Sequence, residues 1–391
     1  MLEKAQGVLN ELLVRDRVSW NILISAYTQK EHYHQALDCF HRMQSEAVSP
    51  DTITFTCVLK ACGNNESIKK GKQIQSMIVT SFLLEKDSLL GNALMDMYIK
   101  SGFLGKAQEV LEYTYIRDVI SWNAMILGYV QYDRGNEALN CFEWMQSEGL
   151  SPDVVTFICI LKACGNIGAV HKGKQIHSEI VSRGLLEKEI VLGNALVDMY
   201  VKCGFLEKAQ GVLDNLQVRN VVTWNALIVG YAQHEQGEQA LNCFVQMQRE
   251  GLSPNELTFV SVLNACSHSG KSNEAEEYYE SMRRKYDFTP KLEHDTCMVV
   301  TLGCAGLLEK AVSVIKTLPS SDDPSVWLTL LGACRKWGNV ELGRLIFDNM
   351  IQRGANLSGA YALMSNIYAS AGFHDDVKKI EEVIRVDDVI A

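Results

Sequence analysis

The sequence predicts an all-α protein, a right-handed α-solenoid of stacked helix-turn-helix repeats. The first observation is that "RVSWNILISAY", "VISWNAMILGY" and "VVTWNALIVGY" begin at residues 17, 119 and 221, so one phrase recurs every 102 residues. The second is that each period divides into units of 31 to 36 residues, each holding two apolar-periodic stretches separated by a short polar or glycine-containing break. A pair of short helices cannot bury its apolar stripe alone, but stacked pairs can, and repeat lengths in the thirties are typical of such stacks.

The middle period illustrates how each element is predicted. In 119–153 the first helix is expected over roughly 121–131 and the second over roughly 135–148, with Pro152 preventing the second from continuing. Two further helix pairs follow in 154–189 and 190–220. Asn123 lies in the middle of an apolar first helix, where a buried amide without partners costs roughly 1–3 kcal/mol. This asparagine therefore requires an explanation.

The amino-acid composition excludes some classes of protein. Hydrophobic residues make up 47% and charged residues 21%, which is typical of a folded chain rather than a disordered one. No run of 18 apolar residues exists, so no membrane span is predicted. The net charge of −10 disfavours indiscriminate binding of polyanions, and a nucleic-acid ligand would need a local basic stripe.

The twelve cysteines do not form a zinc signature. No two have C-x-x-C spacing, and Cys62, Cys164 and Cys266 follow the 102-residue period. We interpret them as small core residues copied by the repeat and predict no metal site and no cofactor.

The phrases within each period resemble those of a known family. "VSWNILISAY", "GKQIHSEIV" and "GNALVDMYVKCG" are similar to the P-, L- and S-type motifs of pentatricopeptide repeat proteins of the plant PLS class. The resemblance divides the chain into a truncated S-type repeat at 1–16, an array at 17–323, and E-like terminal repeats at 324–391. The three P-L-S triplets of the array are 17–51, 52–87 and 88–118; 119–153, 154–189 and 190–220; and 221–255, 256–291 and 292–323. The tetratricopeptide repeat, also a helix pair, fits poorly because it has no reason to alternate three lengths.

The resemblance implies a role for Asn123. In this family the fifth residue of each motif contacts the Watson–Crick edge of one unpaired RNA base, and the last residue of the motif completes the choice. Three pairs resemble the combination that prefers uridine: Asn21 with Asp51, Asn92 with Asp118, and Asn123 with Asp153. Two pairs resemble the combination that favours cytidine: Asn194 with Asn220, and Asn225 with Asn255. Two pairs resemble the guanosine combination: Thr56 with Asp87, and Thr296 with Asp323. Ile158 with Glu189 and Val260 with Lys291 depart from these combinations, so the expected single-stranded site is U-(G)-U-U-x-C-C-x-G, 5′ to 3′ along the chain.

Two further sets of residues complete the expected interface. The resemblance implies that apolar residues at the second motif position clamp each base from either side, although core packing is an equally ordinary reason for an apolar residue there. These residues are Val18, Ile53, Leu89, Ile120, Val155, Val191, Val222 and Leu257. Short basic clusters offer weaker candidates for phosphate contact, or are merely solvated. They comprise Lys69, Lys70, Lys72, Lys172 and Lys174.

The sequence contains no recognisable catalytic motif. "HSE" at 177–179 fits the H-x-E of zinc deaminases, but it lies inside an L-type motif and no C-x-x-C follows. The resemblance therefore implies a non-enzymatic specificity factor for C-to-U editing of organelle RNA, with the deaminase supplied by a partner docked on the repeats or the E-like motifs. The alternatives are a splicing or transcript-stability factor and a protein-binding scaffold. The expected compartment is the mitochondrion or, as an alternative, the chloroplast, with no targeting peptide in this chain.

Overall fold

The computed structural model describes residues 2–12, 14–64, 68–81, 88–114, 116–318, 323–352 and 358–380. Within these ranges every regular element is helical and no strand occurs. The chain forms two compact units, Met1–Cys203 and Gly204–Ala391. The boundary falls between the two helices of the predicted motif at 190–220, and the division by motif type stays a prediction. The predicted all-α class is confirmed.

The first unit is a succession of helix pairs joined by short turns. Its helices are α1 (Leu2–Glu11), α2 (Arg17–Gln29), α3 (Tyr33–Ser45), α4 (Thr52–Asn64), α5 (Ile68–Thr80), α6 (Ser88–Lys100), α7 (Leu104–Tyr113), α8 (Val119–Gln131), α9 (Gly135–Ser147), α10 (Val154–Ile167), α11 (Val170–Ser182) and α12 (Ile190–Lys202).

The second unit continues the same pattern. Its helices are α13 (Leu206–Asn215), α14 (Val221–Gln233), α15 (Gly237–Arg249), α16 (Glu256–His268), α17 (Ser272–Arg284), α18 (Leu292–Cys304), α19 (Leu308–Ile315), α20 (Pro324–Trp337), α21 (Val340–Gln352) and α22 (Ser358–Ser370). Residues 374–380 are also helical.

The first helices of successive motifs pack directly on one another within each unit. In the first unit this layer runs through α2, α4, α6, α8, α10 and α12, and in the second through α14, α16, α18, α20 and α22. Within each unit, a second helix packs on the first helix of its own motif and on that of the next, as α9 does on α8 and α10. First helices are therefore apolar on several sides, and their N-terminal ends lie side by side.

Asp or Asn caps fix the N-terminal ends of several first helices. Asp118, Asp153, Asn220 and Asn255 precede α8, α10, α14 and α16, and each side chain accepts a hydrogen bond from the backbone N–H three residues later. An Asn or Asp cap satisfies one of the amide groups that a helix start leaves without a partner. Asp118 therefore starts α8 at Val119, two residues before the position predicted from periodicity.

The second helix of the motif at 119–153 has the predicted extent but a different cause for its end. α9 spans Gly135–Ser147, one residue short of the predicted 135–148, and it ends five residues before Pro152, so the proline does not terminate it. Gly149 takes a φ of 79°, and the Leu150 N–H reaches back to the Met145 carbonyl at 3.2 Å, which closes the helix end. The equivalent residue in the first period is Ala47, which adopts a φ of 55° despite its side chain.

The core consists of the periodic residues that the sequence predicted. Trp20, Trp122 and Trp224 are buried. Cys62, Cys164 and Cys266 are free and buried, which confirms that they are core residues. No helix within the described ranges has the length and apolarity needed to cross a membrane.

Candidate nucleic-acid interface

The last residue of one motif joins the fifth residue of that motif to the start of the next helix. Asp153 Oδ1 accepts the Thr156 backbone N–H at 2.8 Å as the cap of α10. The same oxygen accepts Nδ2 of Asn123, which lies on α8, at 3.0 Å. Thr156 Oγ1 lies 2.6 Å from Asn123 Oδ1 and donates to it. Both Nδ2 and Oδ1 of Asn123 therefore have hydrogen-bond partners, so the free-energy cost of burying an unpaired amide is avoided.

The same arrangement occurs one period earlier. Asn21 Nδ2 donates to Asp51 Oδ1 at 3.0 Å, and Thr54 donates to Asn21 Oδ1. Here the second carboxylate oxygen, Asp51 Oδ2, lies 3.2 Å from Arg17 Nε in an ion pair.

It occurs again one period later, in the second unit. Asn225 Nδ2 donates to Asn255 Oδ1 at 3.0 Å, and Thr258 donates to Asn225 Oδ1 at 2.6 Å. The structure therefore joins three of the predicted pairs through direct hydrogen bonds, two of them ending in Asp and one in Asn.

The three fifth-position amides are largely buried in the protein without RNA. Asn21, Asn123 and Asn225 are only 5–8% exposed because of the bonds just described. Their hydrogen-bond partners lie at the start of the next helix pair rather than within their own helices. An Asn side chain has two N–H groups and an oxygen with two lone pairs, so each amide keeps one donor and one acceptor site after these bonds form.

The last residue of the motif, Asp or Asn, determines which of its side-chain atoms remains available to a ligand once the cap hydrogen bonds have formed. In Asp153 every bond to Thr156 and Asn123 uses Oδ1, which leaves the acceptor Oδ2 for another partner. In Asn255 the Thr258 backbone N–H binds Oδ1 at 3.0 Å, and this fixes the amide so that the remaining atom is the donor Nδ2. An Asp and an Asn at this position therefore offer opposite hydrogen-bonding groups from the same framework.

The carboxylates in these caps stay ionised at neutral pH. Partial burial would raise the pKa of Asp153, but hydrogen bonds from Thr156 and Asn123 outweigh that effect and lower the pKa below its ordinary value. The pKa of Asp51 is lowered in the same way: burial opposes the shift, and hydrogen bonds from Thr54 and Asn21 with the charge of Arg17 outweigh it.

The other predicted pairs are placed differently. No hydrogen bond joins the described side chains of Asn92 and Asp118, and Asn92 Oδ1 is buried without a partner. Asp323 Oδ1 accepts from the Ser325 N–H at 2.8 Å, and no hydrogen bond joins it to Thr296 in the described part of the chain.

The two threonines predicted at guanosine positions bond within their own helices. The hydroxyls of Thr56 and Thr296 donate to the Thr52 and Leu292 carbonyls, each at 2.7 Å, so each hydroxyl retains only acceptor capacity. Asp87 lies outside the described residues.

The predicted pair of Asn194 and Asn220 spans the two units. Asn194 lies on α12 of the first unit, and Asn220 caps α14 of the second.

All eight predicted clamp residues are exposed. Their exposed fractions run from 47% for Val191 to 66% for Ile120, which excludes core packing as the reason for an apolar residue at this position. Each lies on the first turn of a first helix, next to the cap. The remaining members are Val18, Ile53, Leu89, Val155, Val222 and Leu257. Large exposed apolar side chains at a fixed repeat position indicate a contact surface.

The predicted lysines lie on second helices, away from the caps. Lys172 Nζ pairs with Glu143 Oε1 at 2.8 Å and sits over the Phe142 ring. Lys72 sits over the ring of Phe103, 5.5 Å from its centroid. A phosphate contact by Lys172 would have to replace its ion pair, and the role of this group of lysines stays a prediction.

The third residue of the following motif was missed by sequence reasoning. Thr54, Thr156 and Thr258 cap their own helices and also hold the fifth-position amide of the preceding motif. The signal was present, because Asp or Asn followed three positions later by Thr recurs at the helix starts of this chain, where the two side chains cap the helix reciprocally. Its second contact, to a residue 33 positions earlier, depends on the stacking of helices.

The described residues contain no group of three or more His, Cys, Asp or Glu arranged to hold a metal ion. His177 of the "HSE" sequence lies within α11, and its Nδ1 is 3.0 Å from the Tyr200 hydroxyl.

Comparison with known proteins identifies relatives across nearly the whole chain. Profiles of the PPR repeat family match residues 15–64, 117–166 and 219–268, and a PPR repeat profile matches 92–113, 194–221, 257–286 and 325–354. A pentatricopeptide repeat-containing protein of Arabidopsis thaliana is 38% identical over 386 residues, which is 97% of this chain and 67% of that protein. Another from Arabidopsis thaliana, named as mitochondrial, is 34% identical over 376 residues, 96% of this chain and 67% of the relative.

A solved structure supports the same fold. The pentatricopeptide repeat protein PPR10, crystallised in complex with an 18-nucleotide psaJ RNA element, matches with a TM-score of 0.80 and 17% identity. The match covers 97% of this chain and 56% of PPR10. Other Arabidopsis thaliana relatives are longer, and the chain spans about half of their length.

Proposed function

Because this chain belongs to the pentatricopeptide repeat family, we propose that it binds single-stranded RNA in a sequence-specific manner, one base to a motif. The observation that carries the proposal is the junction at which a fifth-position amide, a last-position cap and an exposed apolar side chain meet. Asn123, Asp153 and Val155 form one such junction. A single base needs hydrogen-bonding groups at its edge and apolar contact on its faces, and this combination supplies both.

The last residue of the motif sets the choice between pyrimidines. Uracil has an N–H at N3, which suits the free acceptor Oδ2 of Asp153. Cytosine has a lone pair at N3, which suits the free donor Nδ2 of Asn255. The unused donor and acceptor of the fifth-position amide meet the neighbouring groups of the same base edge. These contacts support U for the motifs ending in Asp and C for those ending in Asn.

The proposed strand is U-(G)-U-U-x-C-C-x-G. The nucleotides marked x face Ile158 and Val260, whose apolar side chains offer no hydrogen bond to a base edge. With a net charge of −10, the chain depends on base contacts rather than on general attraction to phosphate, so a modest dependence of affinity on salt is expected.

Selection from a random RNA pool tests this function directly. The purified chain is expected to enrich strands that carry U at the Asn123 nucleotide and C, three nucleotides further 3′, at the Asn225 nucleotide. Enrichment of no common sequence would overturn the proposal, and failure to bind any single-stranded RNA would favour a protein-binding scaffold.

The biological role we propose is a specificity factor for C-to-U editing in an organelle, with the deaminase supplied by another protein. The amino-acid sequence of residues 324–391 supports this role, because it resembles the E motifs on which an editing partner or cofactor would dock. The name of one relative supports the mitochondrion as the compartment. In plants that lack the protein, one cytidine downstream of the proposed strand is expected to remain unedited while introns are removed normally. Normal editing with impaired splicing or reduced transcript level would instead favour the splicing or stability role.

A further inference from the structure

We propose that the third residue of the following motif is a further determinant of base choice, because its hydroxyl positions the fifth-position amide. This inference rests on the RNA-binding function proposed above. Thr156 is the third residue of the next motif; it lies on α10 and is fully buried. It touches the Asn123 amide and not the surface where a base would lie, so it acts through Asn123.

The geometry fixes the amide in one orientation. Asp153 Oδ1 requires a donor from Asn123, and Thr156 supplies a donor to the other end of the same amide. The opposite orientation would set the Asn123 oxygen against a carboxylate oxygen, acceptor against acceptor. Without the hydroxyl proton, Asn123 Oδ1 would be buried with an unmet acceptor, and the amide would turn away from the bond to Asp153 to reach another donor.

The sequence repeats this association at every asparagine. Each fifth-position Asn is followed, in the next motif, by a third residue with a hydroxyl: Thr54, Ser121, Thr156, Thr223 and Thr258. Where the fifth residue is not Asn, the third residue of the next motif has no hydroxyl: Leu90, Leu192, His294 and Val326. The association also holds among S-type motifs alone, since Asn92 and Asn194 precede hydroxyls while Thr296 precedes Val326.

At one junction the hydroxyl does not reach the fifth-position amide. Ser121 Oγ lies 2.9 Å from Asp118 Oδ1, just as Thr156 Oγ1 lies 2.9 Å from Asp153 Oδ1, but the Asn92 oxygen is buried without a partner. The Asn92 amide is therefore held less firmly than the Asn123 amide. We expect weaker discrimination at the Asn92 nucleotide than at the Asn123 nucleotide in the unaltered protein.

Thr156→Val tests the proposal, because valine keeps the shape of threonine and removes the hydroxyl. Dissociation constants are measured by fluorescence anisotropy for the proposed strand and for strands with each other base at the Asn123 nucleotide. The ratio between U and the other bases is expected to fall about fivefold, the scale of one hydrogen bond. Discrimination at the Asn225 nucleotide should be unchanged in the same variant, and Thr156→Ser should restore the ratio at the Asn123 nucleotide.

The control separates positioning from folding. A purely structural role for Thr156 would lower the thermal midpoint and weaken all strands alike, leaving the ratio unchanged, and that result would overturn the inference. If Thr156→Val does not fold, Thr258→Val makes the same test at Asn225 in the second unit. If the unaltered protein discriminates at no nucleotide, the proposed function falls and this inference falls with it.

Discussion

The exchange of Asp153 for Asn should reverse the preferred base at one nucleotide without disturbing the fold. Asn255 already shows the outcome in this protein, because its Oδ1 accepts the helix-start N–H and the fifth-position amide at 3.0 Å each. Asp153→Asn would keep both bonds and replace the outward acceptor Oδ2 with the donor Nδ2. Asn and Asp are about equally good helix caps, so the variant should keep its fold.

The size of the effect follows from one hydrogen bond. In the unaltered protein, cytosine would place its N3 lone pair against the Asp153 carboxylate, whereas uracil would donate its N3–H. A mismatch of this kind costs about 1–3 kcal/mol, on the scale known for base contacts. That corresponds to a preference for U of about 5- to 150-fold, and Asp153→Asn should turn it into a preference for C of similar size.

The assay compares four dissociation constants by fluorescence anisotropy at fixed salt. Strands with U or C at the fourth nucleotide of the proposed site are titrated with the unaltered protein and with Asp153→Asn. The reciprocal Asn255→Asp is the matched control and should move the preference at the seventh nucleotide from C to U. A folded Asp153→Asn protein that still prefers U at the fourth nucleotide would refute the reasoning.

Three other predictions follow from the structure. Val155→Ser should weaken binding of every strand by about fivefold, because apolar contact with a base face is lost at about 0.8 kcal/mol per methylene, while the thermal midpoint stays constant since Val155 is half exposed. Ala47→Gly should raise the free energy of unfolding by about 0.5–1 kcal/mol, since the left-handed conformation at φ 55° strains alanine, and Gly149→Ala should lower it by a similar amount; urea unfolding measures both. The lowered pKa of Asp153 adds stability that is fully present above the unfolded-state pKa of about 3.9 and is lost as pH falls through the folded-state pKa. Thermal midpoints between pH 2 and 6 should therefore depend less on pH in Asp153→Asn than in the unaltered protein, and identical profiles would contradict the assigned hydrogen bonds.

The fold was predictable because the same pattern of apolar and polar residues recurs in every repeat of the sequence. Periodicity placed the helices, and the 102-residue spacing showed which residues occupy equivalent core positions. The end of α9 was predicted to within one residue but assigned to the wrong cause, because Pro152 is the more conspicuous breaker, while the turn itself depends on the left-handed backbone of Gly149.

The sequence predicted which residues belong to the candidate site, but not the hydrogen bonds between them. The sequence identified Asn123 and Asp153 as partners through a family resemblance. It could not show that a threonine from the next motif completes the arrangement, because that contact depends on how neighbouring helices stack. Exposure of Val155 and its equivalents likewise became visible only when first helices were packed side by side.

A structure of the chain bound to the nine-nucleotide proposed strand, with adenosine at the two unassigned positions, would test the central claim most directly. We predict that the fourth base lies between Ile120 and Val155 with its Watson–Crick edge within hydrogen-bond distance of Asn123 and Asp153, while Thr156 keeps its bond to the Asn123 oxygen. A strand bound elsewhere, with Asn123 and Asp153 paired only to each other and to Thr156, would contradict the account.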